Sequence, residues 1–373
     1  MVCQTKHPNM NFNLTQEQES LRNTAREFLA TECPISVVRE AEESGVGHSP
    51  DLWRKMADLG WLGICLPEKY GGGESSLSDQ AVLFEEVGGS LVPGPLLASS
   101  VLAAQTVLQG GTDQQKDNLL PGMVSGDIIL TLARGERLET SSQSGSLVIS
   151  GESAFVRYAG LANQIICATR PAIGAWPDTT LVLVDSQADG VIKTAMESIA
   201  NYPQFRVEFD DVSLPGDAVL GEIAEGRVAL ELAIKRATVI QCAETLGRAE
   251  KVLEMVVAYA CTRQQFDRPI PIGSFQAVQH CCANLKVAVD IGRLLTYQAA
   301  WRLDQNLPAS DEIAMAKAQS GTLSRLATEI GHSIFGGVSF TVKHDMHLYS
   351  DRAKIAEAHL GDTEYHLDQM IVD

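Results

Sequence analysis

Cations are scarce in this chain of 373 residues: 29 Lys and Arg stand against 47 Asp and Glu, a formal charge of −18. A nucleic-acid binder, or a protein held on an anionic membrane, needs a basic face, so the balance excludes both readings. Any anionic ligand must be held by a few local cations rather than drawn in by the whole field. The eight cysteines contain no C-x-x-C spacing, and their one adjacent pair is Cys281-Cys282. Neither structural zinc nor a disulfide framework is expected, and a reducing compartment is the default. The opening MVCQTKHPNM lacks the apolar run of a signal peptide, and no stretch of about 18 apolar residues occurs. The sequence therefore predicts no membrane span and a cytoplasmic location. Internal repeats and low-complexity linkers are absent. So are Ser-His-Asp and G-x-S-x-G arrangements, which leaves hydrolase chemistry without support.

What is present is an ordinary globular composition, 45% hydrophobic and 20% charged, on a length that suits two or three domains of about 150 residues. The period of the apolar residues changes twice. Residues 12–125 read as helices joined by short turns, with Thr15 and Gln18 at capping-box spacing before Leu21, Ala25, Phe28 and Leu29. A second helix is expected from Pro50 through Trp61. The glycine-rich turn 67–73 follows it, and then a helix carries Val82, Leu83 and Val87. Residues 126–222 carry short β-branched runs, Ile128–Leu132, Leu147–Ile149, Gln164–Cys167, Leu181–Val184 and Phe205–Phe209, separated by Gly, Ser, Pro and Asp turns. That pattern predicts a small antiparallel β domain. From 223 to 373 the period is helical again, with long segments over 226–262, 275–304, 311–332 and 344–359 that fit a four-helix bundle. The expected fold is thus α+β: an N-terminal all-α domain, a middle antiparallel β domain and a C-terminal four-helix bundle.

That order, with particular residues at each junction, resembles the acyl-CoA dehydrogenase family of flavoproteins over nearly the whole chain, from Phe12 to Asp373. The residues that carry the resemblance fall in four stretches. Trp53, Leu59-Gly60-Trp61-Leu62-Gly63-Ile64, Pro67-Glu68-Lys69-Tyr70-Gly71-Gly72 and Phe84-Glu85-Glu86-Val87-Gly88 are similar to the family's N-terminal helical domain. Phe205, Val207, Phe209-Asp210-Asp211-Val212, Pro215 and Val219-Leu220-Gly221 match the end of its β domain. Thr262-Arg263-Gln264-Gln265-Phe266-Asp267-Arg268-Pro269-Ile270 with Phe275-Gln276 is similar to its FAD-binding helix and loop. Ile334-Phe335-Gly336-Gly337 with Phe340-Thr341 resembles the glycine turn beside the adenine end of FAD.

Elementary chemistry is consistent with those assignments. Gly336-Gly337 lets backbone approach a flat or phosphorylated ligand, although an inter-helix turn needs the same residues. Arg263 and Arg268 can set a guanidinium fork on a pyrophosphate, or serve as solvated helix-end charges. The resemblance implies FAD as cofactor and acyl-CoA as ligand. It assigns Arg263, Phe266, Phe275, Gln276, Ser333, Phe335, Gly336, Gly337 and Phe155 to FAD. It further implies an oligomer, dimer or tetramer, in which a neighbouring subunit contacts the adenine end.

Three family elements do not carry over. The glutamate that removes the α-proton is expected just before a glycine after Ala353-Lys354-Ile355, and that position is Leu360. The second known position for the base falls on Ala237. The Thr-Glu-Pro turn and its Gly-Ser-Asp are replaced by Leu132-Ala133-Arg134-Gly135-Glu136, and the Trp-Ile-Thr/Ser strand by Phe155-Val156-Arg157. Features for the ring end of FAD are degraded and those for the adenine end survive. The resemblance thus implies a subunit that completes the FAD site of a catalytic paralogue. The run His344-Asp345-Met346-His347-Leu348-Tyr349 is similar to sequences of that partner type. The alternatives are a self-sufficient homo-oligomer with a displaced base, for which Glu357 is the candidate, or a non-redox acyl-CoA-binding protein. Asp362 reads as a turn or cap residue. The His344/His347 pair, with Asp345 the one adjacent carboxylate, falls short of a zinc ligand set, so no metal is expected. Arg236 is placed to meet a CoA phosphate or the thioester, or to pair with Glu231, and the ion pair is the favoured expectation.

Overall fold

The computed structural model describes residues 10–143, 146–171, 179–200 and 202–370, so residues 1–9, on which the signal-peptide reading largely rests, lie outside the described residues. The chain opens with helices α1 (Gln16–Glu32), α2 (Ile35–Glu43), α3 (Pro50–Asp58), α4 (Leu77–Gly89), α5 (Ala104–Gly110) and α6 (Asp113–Ser125). Thr15 caps α1 as its spacing predicts. The Thr15 hydroxyl accepts from the Gln18 N–H at 3.2 Å, and the Gln18 side chain accepts from the Thr15 N–H at 3.1 Å. Ser76 with Asp79, and Thr112 with Gln115, repeat the box at α4 and α6. The helix expected to run through Trp61 stops at Asp58. Gly60 turns left-handed (φ 74°), and Trp61–Gly63 forms a separate 3₁₀ turn. A wide π-helical stretch, Leu96–Ala103, runs directly into α5.

The middle of the chain is one six-stranded sheet: β1 (Leu130–Gln143), β2 (Ser146–Arg157), β3 (Gln164–Pro171), β4 (Thr180–Asp185), β5 (Val191–Met196) and β6 (Gln204–Leu214), in the order β4-β3-β1-β2-β6-β5. Its pairings are antiparallel except β1–β3, which is parallel. The chain reverses once into β2 and again into β3, so β3 regains the direction of β1 and lies along its other edge. The sequence reading had no strand at β5. That short edge strand pairs with β6 alone and has a half-exposed pattern without a clear apolar face. Elsewhere period-2 alternation sorts side chains between two cores. Ile166 and Leu181 face α5, α6 and Leu230 of the following helix, whereas Ile165, Cys167, Val182 and Val184 face the inner side of the sheet. Strands buried on both faces read as continuous apolar runs, which is why these segments were visible in the sequence.

The last part holds α7 (Gly226–Thr262), α8 (Gln276–Asp304), α9 (Ser310–Phe335), α10 (Met346–Ala358) and a short α11 (Thr363–Gln369). Helix α11 was not foreseen. Asp362 starts it, its carboxylate accepting from the Tyr365 N–H at 2.9 Å. One hydrophobic core joins α1, α3 and α4 to α7, α8, α9 and α10. The crossing of α4 and α7 is exceptionally close. A Cβ at Gly88 would lie 1.9 Å from the Glu244 carbonyl oxygen, and one at Gly247 would lie 1.8 Å from that of Glu85. Glycine is required at both positions, and Gly247 passes unbroken through a 37-residue helix. Among the described residues no helix is long and apolar enough to cross a membrane, and the seven cysteines are all free.

Candidate active site

The sheet, the start of α7 and the α10–α11 turn enclose a cavity of about 570 Å³. Leu132, Arg134, Ser153, Ala154 and Phe155 from β1 and β2, Gln204 from β6, Leu102, Ile234, and Lys354 to Gly361 of the turn line it. Both strand segments reach it through irregularities. β1 slips against β3 between Arg134 and Glu139, and β2 slips against β6 between Ser153 and Val156. Such bulges re-aim side chains beside functional sites. Phe155 is one result: it is left-handed (φ 60°) and 65% exposed. Leu360, at the position of the missing base, is also left-handed (φ 61°) and faces the same cavity. Among the described residues no Asp or Glu lines it.

The turn bearing Leu360 is held by a buried cation. Lys317, 1% exposed, donates from Nζ to the carbonyl oxygens of Ala356 (3.1 Å), Glu357 (2.9 Å) and Gly361 (2.8 Å). His366 Nε2 lies 2.9 Å from the Leu360 carbonyl oxygen. Burial lowers the Lys317 pKa. Sequence reasoning missed this lysine, although a Lys between Ala316 and Ala318 on an otherwise apolar helix face was a signal for it. His359 stands on the same turn and lines the same cavity. Its Nδ1 lies 2.9 Å from Gln241 Nε2 on α7. Burial holds its pKa well below the ordinary histidine value, helped by Arg157, Lys317 and Arg134.

The remaining candidates scatter. Glu357 turns away from this cavity, 3.0 Å from Lys354 Nζ and 3.8 Å from Arg325 Nε, in a separate hollow between α9 and α10. Arg157 does not face Leu360. Its side chain enters a hollow with Tyr158, Tyr202 and Glu244, its guanidinium 5.5 Å from the Tyr202 ring, and burial lowers its pKa. Arg236 does not take Glu231 as its partner. Glu231 pairs with Arg227 at 2.6 Å, because i, i+4 spacing toward the helix start is free there. The Arg236 Nε is buried without a hydrogen-bond partner. Its charge acts on Cys65, whose thiol burial nevertheless pushes up to about 12. Ala237 is fully buried.

The adenine-end residues gather at the far end of α7. Residues 261–270 are all exposed, and the loop after Arg263 carries two successive left-handed residues, Phe266 (φ 64°) and Asp267 (φ 52°). Strained backbone of this kind concentrates at ligand sites. Phe266, 74% exposed, meets the Phe275 ring edge-on at 5.9 Å, and Arg268 lies 5.9 Å from the same ring. Gln276 is exposed at the start of α8. Phe335 is buried between Tyr259 (4.9 Å) and His344 (4.5 Å), so it braces the glycine turn and presents no open face. Ser333 and Gly337 are exposed. Gly336 has φ 71°, and a Cβ on either glycine would meet nothing within 4 Å. Phe340, 71% exposed, stacks on His332 at 4.2 Å. Among the described residues no group of three or more His, Cys, Asp or Glu is arranged to hold a metal ion.

Comparison with known proteins places this geometry. The model of the acyl-CoA dehydrogenase N-terminal domain matches residues 15–127, and that of the acyl-CoA dehydrogenase C-terminal domain matches residues 224–371. The chain is 30% identical to acyl-CoA dehydrogenase FadE27 of Mycobacterium tuberculosis, over 94% of this chain and 95% of that protein. It is 27% identical to acryloyl-CoA reductase (NADH) of Anaerotignum propionicum, over 96% and 94%. A chain of the ChsE4-ChsE5 complex from Mycobacterium tuberculosis superposes with a TM-score of 0.89 at 28% identity, covering 97% of this chain and 98% of that one. With both family domains matched in order on either side of the sheet, the chain belongs to the acyl-CoA dehydrogenase family.

Proposed function

We propose that this chain is a subunit of an FAD-dependent acyl-CoA dehydrogenase, oxidising the α,β C–C bond of an acyl-CoA thioester, and that it completes the FAD site of a catalytic paralogue. The observation that carries the reading is the division of the candidate residues between two distant places. The ring-end cavity has Leu360 where the family's base belongs and, among the described residues, no carboxylate in its lining. At the adenine end Arg263, Phe266, Arg268, Gln276 and Gly337 stand exposed elsewhere. Between Ile234 at the cavity and Tyr259 behind the glycine turn, α7 makes about seven turns, about 37 Å. That is beyond the reach of one FAD molecule, so the two sets on one chain serve different flavins.

The residues present fit the adenine half of FAD. Phe266 offers an open aromatic face, Arg263 and Arg268 supply guanidinium groups for a pyrophosphate, and the Gly336-Gly337 turn leaves space that a side chain would fill. When bound, FAD supplies the hydride acceptor. This chain's part is to bind and orient it, since no carboxylate among the described residues of the cavity is placed to take a proton from the acyl α-carbon. The self-sufficient alternative would need Glu357 as base, and that carboxylate is turned away toward Arg325 and Lys354.

The test is the flavin content of the chain purified alone and after co-expression with a family paralogue encoded beside it, read as flavin absorption on a size-exclusion peak. No flavin alone, and about one flavin per two chains in the mixed complex, is the expected result. One flavin per chain alone would overturn the partner role. Phe266→Ala should lower the flavin content of the complex while leaving the chain's own melting temperature within a degree or two, because an exposed ring contributes little to folding.

A further inference from the structure

The close crossing of α4 and α7 leaves a trough beside it, because neither Gly89 nor Gly247 carries a side chain to fill the space. With α1 and the starts of α2 and α10 as walls, the trough becomes a cleft of about 410 Å³, inside the ordinary range for small-molecule sites. It shares no residue with the ring-end cavity or the adenine-end loop. Part of its wall is apolar: Leu29, Cys33, Ile35, Met255 and the Tyr349 ring.

The rest is mostly acidic. Glu85, Glu86, Glu250, Glu254 and Asp345 line the cleft, against Arg26 and Lys251 alone as cations among the described residues. Arg22, Arg39 and Arg293 pair with these acids without lining the cleft themselves. The carboxylates therefore face the cleft with their cations set behind them, in a chain whose net charge is −18. Both features make the potential in the cleft negative, which favours a cationic ligand.

Exposed acids are served by water and salt, but Glu85 is only 3% exposed. Arg22 and Arg293 both donate to its Oε2, at 3.4 and 3.1 Å, and its Oε1 is buried with no hydrogen-bond partner. Tyr297 approaches the same carboxylate from α8, yet its Oη completes no hydrogen bond either. A buried carboxylate oxygen that has lost its water and found no donor is costly. A donor arriving through the cleft removes that cost.

We propose that this cleft binds an alkylammonium ligand, whose ammonium group donates to Glu85 Oε1 while its methylene stem lies along Leu29, Ile35 and Met255. A free polyamine suits it best, since a second ammonium group along the stem meets Glu254 or Asp345, the more exposed acids. Arg22 and Arg293 fix Glu85 through its other oxygen, so the acceptor is set before the ligand arrives. Binding is non-covalent, and the ligand enters and leaves charged.

Calorimetric titration of the full chain at low ionic strength tests this with spermidine and cadaverine. The controls are 1-pentanol, which lacks the charge, and choline, which lacks the N–H donors. Both amines should bind, spermidine the more tightly, and both should weaken as salt is added. Each control should bind about tenfold more weakly or worse, and Glu85→Gln should weaken cadaverine about tenfold or more. Glu254→Gln should weaken spermidine about two- to fivefold, since that carboxylate is exposed. Nα-acetyl-lysinamide presents the same ammonium group as a protein side chain does, and it should bind more weakly than cadaverine. With ¹³C-methyl methionine, the resonance that disappears in Met255→Leu should move when cadaverine is added to the natural chain. That readout holds even where Glu85→Gln fails to fold.

No binding of either amine would overturn the proposal and mean that Tyr297 turns its hydroxyl proton to Oε1. Equal binding of 1-pentanol or choline, an unmoved Met255 resonance, or a folded Glu85→Gln of unchanged affinity would overturn it as well. Nα-acetyl-lysinamide binding as tightly as cadaverine would replace the free amine by a lysine of a protein partner. Flavin content enters none of these readouts, so this proposal and the partner role fail separately.

Discussion

Lys317 Nζ lies 2.8 Å from the carbonyl oxygen of Gly361, the residue that follows the vacated base position. Two further carbonyls, of Ala356 and Glu357, converge on the same ammonium group, so one buried cation closes the C-terminal end of α10 and sets the turn that faces the cavity. Helix C-termini favour positive charge, and here the charge arrives from another helix rather than from the last turn itself. Lys317→Met keeps the packing volume and leaves these acceptors without a donor. The expected loss is about 2–4 kcal/mol, measured by urea denaturation. A change below about 1 kcal/mol would mean that water replaces the ammonium group at no cost.

The α4–α7 crossing gives a second expectation. Gly247→Ala would put a methyl group 1.8 Å from the Glu85 carbonyl oxygen, and backbone cannot yield as a side chain does. Overpacking of this kind costs about 1–3 kcal/mol or more. Gly216→Ala, where a Cβ meets nothing within 4 Å, is the control and should be near neutral. Chemical denaturation of the two variants side by side checks the difference.

Acid should destabilise the fold before it reaches the carboxylates. His48, His332, His359 and His366 all have folded-state pKa values lowered, in each case first by burial. A lowered histidine is neutral in the folded chain while its unfolded counterpart charges near pH 6.5, so the unfolded state binds more protons as pH falls. Stability is therefore fully present above about pH 6.5 and lost below it. Each such group contributes a slope of at most about 1.4 kcal/mol per pH unit. His359→Phe should remove up to one proton from that slope between pH 6.5 and 5. An unchanged slope would show that His359 is charged in the folded chain.

Glu357→Gln tests the displaced-base alternative directly. Its carboxylate pairs with Lys354 at 3.0 Å and lines a different hollow from Leu360. Turnover of the assembled dehydrogenase should be unaffected within about twofold, and the stability cost should be about 1 kcal/mol, because the Lys354 side of the pair is exposed while the Glu357 side chain is mostly buried. Loss of turnover by a hundredfold or more would restore Glu357 as the base and displace the partner reading.

Much of the fold was legible because period and caps are local properties. Thr15 with Gln18 marked the start of α1, and the bounds of α7 fell where Gly226 and Arg263 suggested. Strands buried on both faces were plain as apolar runs. β5 was not, because an edge strand with one partner leaves no strong pattern. The parallel β1–β3 pairing was hidden as well, since strand direction follows from where a connection lands, not from strand composition.

The sequence by itself determined the family, the absence of a carboxylate at Leu360 and Ala237, and the survival of Arg263, Phe266 and Gly336-Gly337. Those are statements about which residue types stand at which spacing, and a chain carries them unfolded. Tertiary structure alone decided that Glu357 turns away, that Arg236 leaves Glu231 to Arg227, and that Lys317 and His359 meet at one turn. Such outcomes depend on which helices cross and how closely: the bare glycines at 88 and 247 bring α4 against α7, and α7 carries Gln241 to His359. Lys317 and Gly361 are 44 residues apart in the chain and joined by a single hydrogen bond, a distance over which no local pattern carries information.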